Sequence, residues 1–177
     1  MNKSIEELIA ENRPAINTLV GKKDLVGVEI GTQEGYHAVN MLKRLDIKKL
    51  YLVDPYISYP SSQKDDSSFV DIDKMIEAKE KSIEILKEFG NVERIFKTSE
   101  LASIVVTEPL DFVYIDGDHR REMVREDIVL WFPKIKAGGL IAGHDFKLGE
   151  QGVIKAVYES FGDWFKKDGW DWWRIKK

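Results

Sequence analysis

The 177-residue sequence contains no cysteine and no long apolar run, and each absence excludes a class of protein. Without cysteine there is no disulfide framework, no thiolate nucleophile and no cysteine-bound metal. No apolar run approaches the roughly 18 residues that a membrane-spanning helix needs. The opening segment MNKSIEELIAENRP is too acidic and too interrupted for a secretory signal. We therefore expect a cytoplasmic protein.

An excess of positive charge is missing as well. The chain has 27 basic and 31 acidic residues, so its formal net charge is −4. Such a balance provides no general attraction to nucleic acid or to an anionic membrane surface. The hydrophobic fraction of 43% and the charged fraction of 33% are those of an ordinary folded domain. We expect neither a nucleic-acid partner nor a membrane partner.

The sequence does contain an alternation of strand and helix patterns. Short apolar runs typical of strands occupy residues 26–30, 50–53, 92–96, 112–115 and 140–142, and helical spacing fills residues 36–45, 73–89, 99–105, 120–132 and 153–161. Short apolar strands separated by amphipathic helices predict a parallel sheet covered on both faces. The length suits one domain. We expect residues 1–177 to form it, with a helical cap at 1–24 and the core at 25–177.

The second half of the chain adds three local predictions. Asp168–Gly169 separates two strand-like runs and indicates a hairpin turn. Alternation along the last strand would send Trp172 and Trp173 to opposite faces. Helical spacing places Trp131 in the core. The irregular span at residues 56–72 is long for a connection inside a domain, which is typical of lids and binding loops.

Two glycines, Gly31 and Gly35, stand between the first predicted strand and the first core helix. In a doubly wound sheet this turn is where small-molecule cofactors bind, because the amides of the helix N-terminus point into the crevice. Gly31 would allow a close approach to the backbone, and Gly35 would let the helix pack tightly. A tight turn without any ligand explains the pair equally well. The spacing is not the G-x-G-x-x-G pattern of dinucleotide-binding proteins.

Together with Glu29, these glycines form the pattern acidic–x–Gly–x–x–x–Gly, which resembles the first motif of class I S-adenosylmethionine-dependent methyltransferases. The segment YLVDPY places Asp54 19 residues after Gly35, near the spacing at which an acidic side chain meets a ribose. A turn cap before Pro55 is the alternative role for Asp54. Further on, IDGDH, PKIKAGG and GHD follow in the order typical of the methyltransferase family 24 branch. The resemblance therefore covers most of the chain.

This resemblance implies an α/β fold with a Rossmann-like, doubly wound, seven-stranded sheet. The implied strand order is 3-2-1-4-5-7-6, with the last strand antiparallel and helices on both faces. It also implies S-adenosylmethionine as the cofactor, with Thr98 or Ser99 near the adenine because the third strand lacks the acidic residue often found there. The implied cofactor-binding residues are Glu29, Gly31, Thr32, Gly35, Asp54, Thr98, Ser99 and Asp116.

Five ionisable residues follow two strands that we expect to be neighbours, namely Asp116, Asp118, His119, His144 and Asp145. Because neighbouring strands run about 5 Å apart, Asp116 and Asp145 would repel each other unless one is protonated or a cation lies between them. Oxygen ligands suit Mg²⁺. Related metal-dependent O-methyltransferases resemble this arrangement, although the further acidic or amide ligand that they often carry is missing beside Asp145. Alternatively, Asp116 and His119 cap the following helix while His144 and Asp145 bond to loops.

In a methyltransferase, Asp118, His119 or His144 would take the proton from the acceptor. Similar proteins often methylate hydroxyls of sugars or natural products, so we expect a methyltransferase for a small-molecule acceptor, with O-methylation favoured. The acceptor contacts would come from the N-terminal helices, the loop at 56–72 and the loop after Asp145. A non-catalytic binding module and an NAD-dependent oxidoreductase are the alternatives, and the sequence also permits a homodimer.

Overall fold

The computed structural model describes residues 4–58 and 71–177, and the strands in this part of the chain form one sheet. The strands are β1 (Leu25–Ile30), β2 (Ile47–Val53), β3 (Val92–Ile95), β4 (Leu110–Ile115), β5 (Ile135–Gly143), β6 (Lys166–Asp168) and β7 (Asp171–Ile175). Their order is β3-β2-β1-β4-β5-β7-β6. Strands β1 to β5 pair in parallel, and β7 runs antiparallel to its neighbours β5 and β6. The predicted order and the antiparallel last strand are confirmed.

Helices follow most of the strands, as predicted. They are α1 (Ile5–Ile9), α2 (Tyr36–Arg44), α3 (Ile72–Ile85), α4 (Ser99–Val105), α5 (Arg121–Trp131) and α6 (Gln151–Phe161), with 3₁₀ helices at Pro14–Leu19 and Phe132–Lys134. The helix predicted at 73–89 ends earlier because residues after Ile85 form hydrogen-bonded turns that bury Leu86. Most of the predicted loop at 56–72 falls on residues 59–70, outside the described residues. No helix in the described ranges is long and apolar enough to cross a membrane.

Both faces of the sheet are buried, which explains why its central strands are apolar without interruption. One core cluster contains Val28 and Val113, and the other contains Leu50 and Phe112. The tryptophan side chains are also distributed between these two core clusters. Trp131 is fully buried, and Trp172 lies in the first cluster while Trp173 packs against the second. The predicted placement of these three side chains is therefore confirmed.

The hairpin turn is one residue away from its predicted position. Asp168 pairs with Asp171, so the two turn residues are Gly169 and Trp170 rather than Asp168–Gly169. Gly169 adopts a φ of +58°, a conformation that glycine reaches without steric cost. The register follows from Asp171, whose buried carboxylate accepts a hydrogen bond from the Ala15 amide at 2.9 Å. A contact with the N-terminal segment, rather than the local turn signal, sets the start of β7.

Candidate functional site

A cleft of about 660 Å³ lies where β1, β2, β4 and β5 end. Strand β1 has β2 on one side and β4 on the other, so the order of the chain reverses here, and this is where open α/β sheets bind ligands. The N-terminal segment closes one side through Leu8 and Arg13. The described residues that line the cleft include one arginine, Arg13, and nine acidic residues. The acidic residues are Glu11, Glu34, Asp54, Glu100, Asp116, Asp118, Glu126, Asp127 and Asp145.

The glycine turn is shaped by contacts within the protein. Gly31 has a φ of +86°, and a Cβ atom there would clash with the backbone of Asp116 and Gly117. Gly35 is the N-cap of α2 with a φ of +85°, and a Cβ there would press on the side chain of Leu86. The group that comes close to Gly31 is therefore the end of β4. Packing alone accounts for both glycines, although both also line the cleft.

Asp54, the predicted ribose acceptor, holds the glycine turn in place. Its carboxylate accepts hydrogen bonds from the amides of Gln33 at 2.9 Å and Tyr56 at 2.8 Å, and the Thr32 amide adds a third. Burial raises the pKa of Asp54 although these amides favour the ionised form. A carboxylate has about four acceptor positions, so about one is left for a ligand in the cleft.

Glu29 and His37 form a buried pair behind the turn. Their side chains meet at 2.7 Å between Oε1 and Nδ1, and burial raises the pKa of Glu29 while it lowers that of His37 to about 3. Glu29 is 1% exposed and lies behind the cleft wall, whereas His37 and Thr32 line the cleft. In the described part of the chain, Nε2 of His37 and Oγ1 of Thr32 are buried without a hydrogen-bond partner. A polar ligand could satisfy both atoms.

Arg13 is a site residue that the sequence did not reveal. Its Nη1 donates to Oδ2 of Asp116 at 3.2 Å and to the Tyr114 hydroxyl at 3.3 Å, and Nη2 contacts Glu11 at 3.2 Å. Burial opposes the charge of Arg13, but these partners raise its pKa overall. Arg13 therefore brings a permanent positive charge to Asp116. No motif marks it, because its partners Tyr114 and Asp116 are 101 and 103 residues away in the sequence.

Asp145 lies among three basic side chains. Its Oδ2 is 3.1 Å from Nε2 of His119 and 3.2 Å from Nδ1 of His144, and Lys147 contacts Oδ1. Burial alone would raise the pKa of Asp145, but these hydrogen bonds hold it well below its usual range. Asp145 also adopts a φ of +56°, which is uncommon for aspartate. Its carboxylate is thus ionised and neutralised from within the protein.

The predicted proximity of Asp116 and Asp145 is present in the structure. Together with His144 they offer three ligand atoms within 4.8 Å of one another, a group that could hold a metal ion. His144 was predicted as a base rather than a ligand, so this set adds one residue to the predicted pair. Two carboxylates and an imidazole are an acceptable donor set for a divalent ion. The internal cations Arg13 and Lys147 would compete with that ion for the carboxylates.

The other two predicted bases, Asp118 and His119, both have charged partners. The Asp118 carboxylate accepts from the Arg120 amide at 2.9 Å and from its guanidinium. His119 contacts Asp145 through Nε2 and Glu150 through Nδ1, and these carboxylates raise its pKa against the effect of burial. The hypothesis that Asp116 and His119 cap the next helix is wrong, since the N-cap of α5 is Arg120 and no side chain caps it.

The two residues predicted near the adenine lie where α4 begins. Thr98 is the N-cap of α4 and accepts from the Leu101 amide, and the Ser99 hydroxyl accepts from the Trp131 indole at 2.8 Å. Ser99 also bonds Asp127 of α5, a buried residue that lines the cleft. The position of Asp127 in the sequence does indicate that this residue is unusual. It stands four residues before Trp131, and therefore on the core-facing side of its helix, where an acidic residue is out of place.

Comparisons with known proteins agree with this architecture. A family model described as a methyltransferase domain, that of methyltransferase family 24, matches residues 28–146. An uncharacterised protein of Acanthamoeba polyphaga mimivirus is 28% identical over 126 residues, which cover 71% of this chain. The aligned region spans about half, 53%, of that curated relative.

Several solved structures with a similar fold are described as methyltransferases. A proposed methyltransferase from Streptococcus mutans, determined in complex with SAH, superposes with a TM-score of 0.66 at 17% identity and full coverage of both chains. The O-methyltransferase NovP superposes with a TM-score of 0.64 at 12% identity, covering 98% of this chain and 79% of NovP. At these identities the likeness concerns the fold alone.

Proposed function

The chain belongs to methyltransferase family 24, and from this premise we propose that it is an S-adenosylmethionine-dependent methyltransferase acting on a hydroxyl of a small molecule. The observation that carries the cofactor assignment is the charge of the cleft. Nine acidic side chains and one arginine line it. S-adenosylmethionine carries a sulfonium and an ammonium against one carboxylate, so a cleft of this charge attracts it. The volume also lies within the usual range of cofactor sites.

The residues present fit this cofactor. The buried Thr32 hydroxyl and Nε2 of His37 need partners that a polar ligand can supply, and Asp54 keeps an acceptor position open. When bound, S-adenosylmethionine supplies an activated methyl group on its sulfur. The SAH complex of the S. mutans relative and the absence of a G-x-G-x-x-G turn both favour it over a nicotinamide cofactor.

The acceptor would enter near the N-terminal segment. There Leu8, Arg13 and Asn40 line the cleft together with Asp116 and Asp145. The acidic surroundings favour a neutral or cationic small molecule over a nucleic acid, whose phosphates they would repel. O-methylation is the favoured reaction, in line with the O-methyltransferase NovP among the similar structures.

Of the three candidate bases, Asp118 and His119 line the cleft, whereas His144 stands beside its lining residue Asp145 and has the least engaged ring nitrogen, Nε2. Its Nδ1 contacts Asp145, and its Nε2 stands 4.0 Å from the nearest oxygen of Asp171, beyond a hydrogen bond. The Asp118 carboxylate is bonded by Arg120, and two carboxylates raise the pKa of His119. A proton taken by Nε2 of His144 would be stabilised by Asp145 on the other side of the ring.

A divalent ion is the alternative means of activating the acceptor. Asp116, His144 and Asp145 would hold it, and it would orient the acceptor hydroxyl and lower its pKa. In the competing arrangement no ion is bound, and the positive charges of Arg13 and Lys147 balance Asp116 and Asp145 instead. Turnover of an identified acceptor in excess chelator, followed by addition of Mg²⁺, separates the two. Full activity in chelator would remove the ion from the proposal.

A thermal-shift assay with S-adenosylmethionine, SAH and NAD tests the cofactor assignment. Ligand at 100 times its Kd stabilises the native state by about 2.7 kcal/mol, which raises the Tm by several degrees. We expect this response to the first two compounds only. A response to NAD alone would overturn the proposal in favour of an oxidoreductase. Cofactor binding without turnover in broad acceptor pools would instead favour a non-catalytic binding module.

A further inference from the structure

The cleft has a second polar end, distant from the acceptor side. Strand β3 leads to Ser99, and β5 leads to Asp145. Three strands lie between β3 and β5 in the sheet, so the ends of these two strands stand roughly 19 Å apart. The far end is walled by α4 and α5, and the apolar side chain of Met123 lines it beside Asp127.

Asp127 is the buried polar group at this end. It is 5% exposed, and its partner is the Ser99 hydroxyl, which is itself fixed by the Trp131 indole at 2.8 Å. The charges that act on Asp127 come from Glu126 and Asp118 and are negative. A buried carboxyl group without a cation is costly unless donors satisfy its oxygens. Since Asp127 lines the cleft, a ligand can supply a second donor beside the Ser99 hydroxyl.

We infer that the Asp127 side chain accepts a hydrogen bond from the exocyclic amino group of the adenine ring, with Ser99 holding the carboxyl group in position. This inference rests on the proposed function, because it assigns the base-recognition residue of the same cofactor. Asp127, a residue of α5, would then take the place of the acidic residue that is often found near the adenine and is missing after β3. The ring would lie against Met123, and its amino edge would point at Asp127.

The inference predicts discrimination against a ring without that donor. In S-inosylhomocysteine a carbonyl oxygen replaces the amino group, so it would face the carboxylate oxygen of Asp127. Sites built to bond one polar group reject such analogues because their own buried group is left unpaired. We expect the wild-type protein to bind SAH at least about tenfold more tightly than S-inosylhomocysteine at pH 8.

Isothermal titration of both ligands into wild type, Asp127→Asn and Glu122→Gln provides the test. An asparagine amide can accept from adenine or donate to the carbonyl of the analogue, so Asp127→Asn should lose most of the preference for SAH. Glu122 lies on the same helix with its side chain 73% exposed and is not among the described residues that line the cleft, so Glu122→Gln should keep the wild-type ratio. A native Tm transition for Asp127→Asn establishes that the variant is folded.

Two outcomes would overturn the inference. Equal affinity of the wild-type protein for the two ligands would do so without any variant, and it would leave the proposed function standing. A full preference for SAH in folded Asp127→Asn would show that Asp127 only joins α4 to α5. If the wild-type protein bound neither ligand, the proposed cofactor itself would be wrong, and the inference would fail with it.

Discussion

The Tyr114 hydroxyl donates a 2.8 Å hydrogen bond to the carboxylate of Asp171, and this bond links β4 to β7 inside the protein. The other carboxylate oxygen of Asp171 accepts from the Ala15 amide at 2.9 Å, and Arg13 donates to the same Tyr114 hydroxyl. Two residues of the sheet therefore fix the N-terminal segment over the cleft. The position of Arg13 beside Asp116 depends on them.

Tyr114→Phe should destabilise the protein by about 1–3 kcal/mol, because it removes the hydroxyl that donates to the buried Oδ1 of Asp171 and one of the two acceptors of Arg13 Nη1. The free energy of unfolding, measured in urea, tests this. Tyr158→Phe is the matched control, since Tyr158 is 42% exposed and should change stability by less than about 0.5 kcal/mol. Equal effects of the two substitutions would show that the buried bond contributes nothing.

Gly31→Ala should prevent normal folding or cost more than about 3 kcal/mol, since it adds both a strained φ and a clash with the backbone of Asp116. Gly90→Ala is the control, because its Cβ would meet nothing within 4 Å. Thermal unfolding of both variants decides the point. A Gly31→Ala protein as stable as the control would contradict the packing role assigned to this glycine.

Asp54→Ala should lower both stability and cofactor affinity, because it removes the acceptor of three amides that shape the turn. Hydrogen bonds to a charged group are worth about 1.5–3 kcal/mol each, so we expect a loss of at least about 2 kcal/mol in urea unfolding. The exposed Asp46→Asn serves as the control. Weaker SAH binding with unchanged stability would mean that Asp54 serves the ligand and not the turn.

Asp127 should make stability depend on pH. Burial raises its pKa from 3.8 to about 7, so the native state binds its proton more tightly than the unfolded state does. The stabilisation is complete below about pH 4 and is lost as the pH rises through 7. Relative to Asp127→Asn, the wild-type protein should lose up to about 4 kcal/mol between pH 4 and 8. Urea unfolding across this range measures it, and a constant difference would contradict the prediction.

Local patterns were enough to predict most of the fold. Apolar runs and helical spacing follow from the period of each element, so the elements were found in the right order, and the motif resemblance supplied the strand order. Predictions failed where distant contacts override local signals. The hairpin turn moved by one residue because Asp171 bonds Ala15 across the molecule, and the helix predicted at 73–89 ended early where Leu86 enters the core.

In the candidate site, too, some features follow from the sequence and others follow only from contacts between distant residues. The sequence by itself determined which residues follow β1, β4 and β5, and so it brought Gly31, Asp116 and Asp145 to one edge of the sheet. Only the tertiary structure decided which charges meet there. Arg13 lies 103 residues from Asp116, and no local pattern encodes a pairing at that distance. Such pairs form because burial in the folded chain demands a partner for each polar group, and only folding determines which partners come within reach.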